Sequence, residues 1–320
     1  MRAFIFLVAG VSCACVAEPR FAARPLVEPS GVDAGSDAGE EASPRGEYLV
    51  RHVLACGECH TPRFEDGSLD ESRFLSGADC SDMPAARSGG PCTPAPNLTP
   101  HATGIARYDR QQLERMIFEG VRPDGRVLNA TAMPYYVYRA ATREDAAAII
   151  AYLRSLPPID HAVEAVQARS WQRATAVLPI DLPEAASTHA PDVAAGIEHG
   201  RYLVTLACVA CHTPFNRDSA ATQPLDLRQA LAGGRGFSHY VRNMLSPNLT
   251  PDATGLGAWS RDEIVRAVRE GVGPDGRALC APMPRAFSGL SPEDAADIAA
   301  YLQAIPAVAN RLPLGCRTGN

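Results

Sequence analysis

With 320 residues, the chain is long enough to form about two domains, each with its own hydrophobic core. Its hydrophobic content of 46% is typical of globular proteins. The net charge of −6 argues against nucleic acid as a partner, and because all 30 basic residues are arginine, a lysine-lined docking surface is excluded.

Residues 1–17 have the outline of a secretory signal peptide, in which one charge, Arg2, precedes a short apolar run and a stretch of small residues. The run is too short to cross a bilayer, so we expect export and a mature protein outside the cytoplasm, where disulfides persist. Cys13 or Cys15 could instead carry a lipid, which would be the source of any membrane contact. Residues 18–45, rich in proline, glycine and acidic side chains, are predicted to form a disordered acidic spacer.

Two Cys-x-x-Cys-His motifs, each followed by Thr-Pro, carry the chemistry that the sequence predicts. Two thiols on one helical turn can add to the two vinyl groups of a haem, and the adjacent imidazole is then directed at the iron. We therefore expect two covalently attached haem c groups. The thioether bonds are expected at Cys56, Cys59, Cys208 and Cys211, and the proximal axial ligands are expected to be His60 and His212.

Zinc sites and thioredoxin-like redox pairs are the chemical alternatives for such cysteine pairs. Paired zinc ligands of this type usually recur within about 15 to 20 residues, whereas the second motif follows the first by about 150 residues. A redox pair does not require a histidine at the same place in both motifs. Haem attachment is therefore the favoured interpretation.

The sequence repeats itself at the same offset as the two motifs, which predicts two homologous domains with one haem each. The repeated segments are Gly46–Val50 with Gly200–Val204, Pro96–Pro100 with Pro247–Pro251, Glu119–Arg126 with Glu270–Arg277, and Ala147–Leu153 with Ala296–Leu302. The predicted boundaries are 46–157 for the first copy, 158–195 for a linker, 196–308 for the second copy and 309–320 for a tail.

Each copy is predicted to be all-α, with three main helices joined by long loops. The helix boundaries follow from capping residues, from glycines at helix ends and from prolines just beyond them. The predicted helices are Tyr48 to Ala55, Asp109 to Glu119 and Thr142 to Pro157 in the first copy, and Tyr202 to Ala207, Ser260 to Gly271 and Ser291 to Pro306 in the second.

A methionine followed by proline lies at the same place in both copies, and we expect Met133 and Met283 to be the distal axial ligands. A thioether is soft and neutral, so it favours ferrous iron and raises the potential relative to a second imidazole. The other methionines and histidines outside the motifs are less favoured as ligands. Met116 is expected in the core, Met83 lies in an insertion bounded by cysteines, and Met244 has no counterpart in the other copy. The unmatched histidines are expected on the surface or in hydrogen bonds, although one of them could bind iron in a single copy. These histidines are His52, His101, His161, His189, His199 and His239.

The four remaining cysteines of the mature chain are disulfide candidates. Cys80 and Cys92 bracket a loop that only the first copy contains, and a bridge between them would close it. Cys280 precedes Met283 by three residues and Cys316 lies in the tail, so a bridge there would hold the tail near the methionine loop. The connectivity itself cannot be deduced from the sequence.

With both haem motifs, the Asn-Leu-Thr-Pro segments and the Met-Pro loops in place, the chain resembles tandem class I cytochromes c. It is most similar to cytochrome subunits of bacterial membrane-associated alcohol and aldehyde dehydrogenases, above all from Ser246 to Met283. The resemblance extends over about 46–306 and implies an all-α fold, two His/Met-ligated haems and a location in the bacterial periplasm.

This chain departs from the pattern of that family in two respects. The family's subunits typically carry three haem domains, whereas two are visible here, so the partner dehydrogenase cannot be inferred from the resemblance. The first copy is also the more divergent one, because it has Gly77-Ala78-Asp79 where the second has Gly233-Gly234-Arg235.

The leading functional hypothesis is a dihaem electron carrier without a catalytic residue of its own. It would take electrons from a dehydrogenase or a quinol-oxidising donor and pass them to an oxidase or a soluble cytochrome. The alternative is an enzyme similar to dihaem cytochrome c peroxidases, in which one haem has an open distal site. The matched Met-Pro loops favour the carrier. A redox sensor or a structural module stays possible on composition alone.

Overall fold

The computed structural model describes residues 43–82, 93–163, 191–216, 223–237 and 244–313. The predicted signal peptide, with Cys13 and Cys15, and nearly all of the predicted acidic spacer lie outside the described residues. The described residues all belong to one compact unit, Gly39–Asn320. The division into domains at 46–157 and 196–308 therefore stays a prediction.

The described residues are mostly helical and contain isolated β-bridges but no sheet, which confirms the predicted helical fold. In chain order the α-helices are α1 (Pro44–Tyr48), α2 (Gly57–His60), α3 (Arg110–Glu119), α4 (Tyr135–Tyr138), α5 (Arg143–Ser155), α6 (Pro191–Ala207), α7 (Val209–His212), α8 (Arg261–Glu270) and α9 (Pro292–Ala304). A π-helical turn at Leu49–Val53 follows α1, and short 3-10 turns occupy Glu71–Arg73, Cys80–Asp82, Ile105–Arg107, Leu227–Gln229 and Arg285–Gly289.

Capping residues set the ends of the longer helices as predicted. The Ser260 hydroxyl accepts from the Glu263 backbone N–H, and the Glu263 carboxylate accepts from the Ser260 N–H, so α8 begins with a capping box. The helix ends at Gly271, whose φ of 66° is the left-handed conformation that glycine tolerates. Helix α3 has the same features, with a capping box of Asp109 and Gln112 that the sequence analysis did not identify.

The helix that leads into each motif differs from the prediction. In the second copy, α6 begins at Pro191, inside the predicted linker, and runs unbroken to Ala207. In the first copy, α1 gives way to the π-helical turn, because two more residues separate Gly46 from Cys56 than separate Gly200 from its motif. The wider turn absorbs these residues while the hydrophobic side chains still face the core.

The leading and last helices of each copy pack closely at a glycine. A Cβ at Gly46 would overlap the carbonyl oxygen of Ala148 in α5, and a Cβ at Gly200 would overlap that of Asp297 in α9. The core around these crossings is apolar and almost fully buried. It includes Leu49, Ile149, Tyr135, Leu203, Ile298 and Tyr301.

Reciprocal hydrogen bonds join the two copies. The hydroxyl of Tyr202 donates to Asp145 Oδ2 over 2.7 Å and accepts from the Thr142 N–H, at the N-terminus of α5. The matching tyrosine of the first copy, Tyr48, donates to Asp294 and accepts from the Ser291 N–H at the start of α9. Each tyrosine thus binds the first turn of the other copy's last helix.

Candidate haem-attachment sites

Both motifs form one short helical turn that gathers the two thiols and the imidazole. The His60 N–H donates to the Cys56 carbonyl over 3.0 Å, and the His212 N–H donates to the Cys208 carbonyl over 2.9 Å. The four motif cysteines are free thiols and are not joined to one another by disulfides. This arrangement fits two thioether bonds and one axial imidazole at each motif.

A proline carbonyl orients each motif histidine. Nδ1 of His60 lies 2.8 Å from the carbonyl oxygen of Pro96, and Nδ1 of His212 lies 3.0 Å from that of Pro247. Since a carbonyl can only accept, Nδ1 carries the proton and Nε2 keeps its lone pair for a metal. Burial lowers the pKa of both imidazoles, while the bond to the carbonyl opposes the shift. Both rings are therefore neutral at pH 7, the form that binds iron.

The threonine after each motif fixes the loop beneath the histidine. Thr61 Oγ1 accepts from the Leu75 N–H over 3.0 Å, and Thr213 Oγ1 accepts from the Leu231 N–H over 3.1 Å. The two leucines have φ values of 60° and 59°, a conformation that non-glycine residues rarely adopt. The threonine of the Thr-Pro shared by both motifs thus has a structural role that the sequence alone did not indicate.

The asparagines of the Asn-Leu-Thr-Pro segments tie this loop to the chain that follows the last helix. Asn97 Nδ2 donates to the Ile159 carbonyl over 2.8 Å, and Asn248 Nδ2 donates to the Val308 carbonyl over 2.8 Å. Their Oδ1 atoms accept from the threonine two residues later. The carbonyl that orients each histidine, one residue before the asparagine, is thereby held in place.

The two motifs lie close to each other, as the electrostatics of their side chains show. Burial raises the pKa of the Cys59 thiol to about 11, and the charges of Glu58 and Cys211 add to this shift. Burial also raises the pKa of Tyr138 well above its usual value, with further contributions from the cysteines of both motifs. Tyr138, in α4, is therefore near both candidate sites.

The two methionine loops have matching local structure. The Met133 N–H donates to the Asn129 carbonyl over 2.9 Å, and the Met283 N–H donates to the Cys280 carbonyl over 3.0 Å. Both methionines are half-buried and contact the core. At the start of each loop, a leucine N–H donates to the carbonyl of the glycine that ends the preceding helix, Leu128 to Gly120 and Leu279 to Gly271. Their role as distal ligands stays a prediction.

Each motif also lies next to an arginine that the sequence analysis did not single out. Arg63 Nη2 donates to the carbonyl of Glu58 over 2.9 Å. Arg235 Nη1 donates to the carbonyl of Ala210, which is the equivalent position of the second motif. A single sequence could not reveal this match, because the two arginines come from different loops.

The other candidate side chains have structural roles. Cys80 and Cys280 are disulfide-bonded, whereas Cys92 and Cys316 lie outside the described residues, so the predicted pairings stay predictions. The four unmatched histidines in the described segments all form hydrogen bonds or ion pairs, as expected. They are His52, His101, His161 and His199.

The zinc alternative finds no ligand set in this part of the chain. Among the described residues, no group of three or more histidine, cysteine, aspartate or glutamate side chains could hold a metal ion. The same segments contain no helix that is both long and apolar enough to cross a membrane.

Comparison with known proteins identifies a matching family model and distant relatives of this chain. Residues 197–306 match the family model described as cytochrome c. The chain is 28% identical over 304 residues to the cytochrome c subunit of the alcohol dehydrogenase (quinone) of Gluconobacter oxydans, which covers 89% of this chain and 59% of the relative. It is 37% identical over 123 residues to the fructose dehydrogenase cytochrome subunit of Gluconobacter japonicus, which covers 38% of this chain and 22% of the relative.

A third relative is a diheme cytochrome c-type protein of Cereibacter sphaeroides, 35% identical over 135 residues, which covers 41% of this chain and 40% of the relative. The chain thus spans at most 59% of the length of these three relatives. Residues 197–306 thus match the cytochrome c family model, and the chain is distantly homologous to cytochrome c subunits of dehydrogenases and to a diheme cytochrome c.

Proposed function

We propose, from the match of residues 197–306 to the cytochrome c family model and the distant homology of the chain, that this protein is a dihaem electron carrier built from two tandem class I domains, 46–157 and 196–308. The observation that carries the proposal is that both motifs hold their histidine in the same way, with Nδ1 donating to a proline carbonyl. A single haem would leave one of these two oriented, neutral imidazoles without a function.

The residues fit two haem c groups, each of which would supply a one-electron Fe(III)/Fe(II) couple when bound. Cys56 and Cys59 would hold one group and Cys208 and Cys211 the other, with His60 and His212 as proximal ligands. Met133 and Met283 would complete the coordination. The similar start of the two methionine loops, where Leu128 and Leu279 donate to the glycine that ends the preceding helix, supports this assignment.

The proximity of the motifs supports electron exchange within the chain. Arg235 donates to the Ala210 carbonyl in the second motif, and its Nη2 lies 3.4 Å from the Thr131 carbonyl in the methionine loop of the first copy. The second motif therefore adjoins the first copy, which supports the passage of an electron between the two groups without leaving the protein.

The proposed partners are proteins. Two of the relatives are named as cytochrome subunits of dehydrogenases, which supports a dehydrogenase, or another quinol-oxidising protein, as the electron donor. An oxidase or a soluble cytochrome would be the acceptor. The signal-like residues 1–17 support a periplasmic location. In the alternative form of this proposal, a lipid at Cys13 or Cys15 anchors the periplasmic protein to the membrane.

The test is the spectroscopy of the haem-loaded full-length protein. A pyridine haemochrome assay counts the haems, and the far-red methionine-to-iron band of the oxidised protein counts the methionine ligands. We expect two haems and two bands per chain that persist in the presence of peroxide, cyanide or carbon monoxide. A single haem, or a high-spin haem that binds these ligands, would contradict the carrier, and the second result would favour the peroxidase-like alternative.

A further inference from the structure

The two arginines beside the motifs donate to the same backbone position, but the charges around them differ. At the first motif, Arg63 Nη2 also lies 2.7 Å from Glu58 Oε2, in a half-buried ion pair. The positive charge of this arginine is therefore neutralised within the motif itself. At the second motif, alanine replaces the glutamate, so the side chain that would neutralise Arg235 is missing.

No carboxylate within the described residues replaces that missing partner. Arg235 Nη1 donates to the Ala210 carbonyl, and Nη2 lies 3.4 Å from the Thr131 carbonyl. Its guanidinium also stacks on Phe215, with 4.4 Å between Cζ and the ring centroid. Among the described residues, these contacts and a looser one to Phe237 include no ion pair. Arg235 thus keeps its full charge against the second motif.

The difference in charge lies directly beside the two motifs. Arg63 is paired with Glu58 at the first motif, whereas the contacts of Arg235 among the described residues are with backbone carbonyls and aromatic rings. The local potential is therefore more positive at the second motif than at the first.

We propose that Arg235 gives the haem attached at Cys208 and Cys211 the higher reduction potential, so that electrons enter at the first haem and pass to the second. The inference rests on the proposed dihaem carrier. Reduction adds one negative charge to a haem, and an uncompensated cation beside it favours that state. In the internal step, the ferrous first haem loses one electron and the ferric second haem gains it, with no bond made or broken.

The test is a redox titration of the full-length, haem-loaded protein and of five variants. Arg235→Gln removes the charge, Arg235→Lys keeps it, and Glu58→Gln removes the negative charge that pairs with Arg63 at the first motif. Met133→His and Met283→His assign the two waves, because a second imidazole lowers the potential of the haem it binds.

We expect the haem whose reduction potential is shifted by Met283→His, which is the second haem, to have the higher potential in the wild type. Arg235→Gln should lower the reduction potential of this haem, with a change of about tenfold in the equilibrium constant, which corresponds to 59 mV for a one-electron couple. Arg235→Lys should largely restore the potential. Glu58→Gln should raise the reduction potential of the first haem and so reduce the difference between the two potentials. The contact with Thr131, near Met133, predicts a smaller fall of the first wave in Arg235→Gln.

The proposal is overturned if the higher wave belongs to the first haem, or if Arg235→Gln leaves the gap between the waves unchanged. Should Arg235→Gln fail to fold, an unchanged gap in Glu58→Gln overturns it as well. If the proposed function as a dihaem carrier is wrong, this is seen separately, in the haem count and the far-red bands of the wild-type protein.

Discussion

His60 and His212 show how much of a metal ligand is decided by atoms that never touch the metal. Each Nδ1–H is bound to a proline carbonyl, so the ring cannot rotate and only Nε2 is left to coordinate. The asparagine after that proline holds the carbonyl by bonding to the chain beyond the last helix. The ligand geometry therefore depends on residues far apart in sequence.

Asp145 offers a residue-scale prediction about pH. Burial disfavours its carboxylate, but bonds from Arg45 Nε and Nη2, at 2.9 and 2.8 Å, and from the Tyr202 hydroxyl outweigh burial and lower its pKa. Since the pKa of the folded state lies below that of the unfolded state, this stabilisation is present above about pH 4 and is lost as the pH falls through the folded value.

We therefore expect Asp145→Asn to reduce the free energy of unfolding at pH 7 by about 1 kcal/mol, a modest value because Arg45 is partly exposed. The difference between variant and wild type should shrink as the pH falls below 4. Urea titrations from pH 3 to 7 measure both effects. Glu144→Gln, also in the first turn of α5 but exposed, controls for the helix dipole. An equal loss in this control would show that the ion pair is not the cause.

At this scale, the sequence predicted the residues whose chemistry is local. Two cysteines and a histidine on one turn need no tertiary contact to be recognised. The partners of Thr61 and Thr213 lie 14 and 18 residues further along the chain, at leucines with positive φ. Nothing in the composition of those loops indicates that conformation, so the role of the threonines could be seen only in the structure.

At the scale of elements, glycine fixes how closely the leading and last helices approach. Gly200 lies inside α6, where alanine would increase helix propensity by about 1 kcal/mol. A Cβ there would, however, overlap the Asp297 carbonyl oxygen of α9, which is rigid backbone. Overpacking of this kind costs roughly 1–3 kcal/mol, so the steric effect should outweigh the gain in propensity.

We predict that Gly200→Ala lowers the free energy of unfolding by about 1–2 kcal/mol, measured by chemical denaturation. Gly196→Ala is the matched control in the same helix. A Cβ there would meet only the tip of the Asp297 side chain, which can move away. The control should be neutral or slightly stabilising. If both variants lose the same stability, the close approach at Gly200 is not the reason.

The elements that the sequence predicted well are those with strong end signals. Helix α8 begins at its predicted capping box and ends at the predicted glycine, and α5 and α9 end shortly before their prolines. The π-helical turn at Leu49–Val53 was not predicted, because no local preference causes it. It results from the two additional residues between Gly46, which packs on the last helix, and the motif at Cys56. The early start of α6 at Pro191 was not predicted either.

At the scale of the whole molecule, the two copies exchange contacts in a nearly symmetric way. Tyr202 binds Asp145, and Tyr48 binds Asp294. Each aspartate also has a basic neighbour on its own side. Arg45 Nη2 lies 2.8 Å from Asp145 Oδ2, and His199 Nδ1 lies at the longer distance of 3.6 Å from Asp294 Oδ1. The repeat identified both tyrosines, but a sequence comparison cannot tell whether such a residue acts within its own copy or across to the other.

We predict that these two tyrosines make the copies unfold together. Each hydroxyl contributes a hydrogen bond to a carboxylate and one from a backbone N–H, together about 1–3 kcal/mol. The variant Tyr48→Phe/Tyr202→Phe keeps the apolar ring contacts but loses these bonds. We therefore expect it to unfold in two steps in guanidinium, where the wild type unfolds in one, with circular dichroism and haem absorbance as the two probes.

Tyr152→Phe is the control for this prediction, because the Tyr152 hydroxyl accepts from Arg51 within the first copy only. It should lose less stability than the double variant, because it removes one hydrogen bond rather than four, and still unfold in one step. If it also unfolds in two steps, any loss of stability separates the copies and the tyrosines have no special part in joining them. If the double variant unfolds in one step with coincident probes, apolar packing alone holds the copies together.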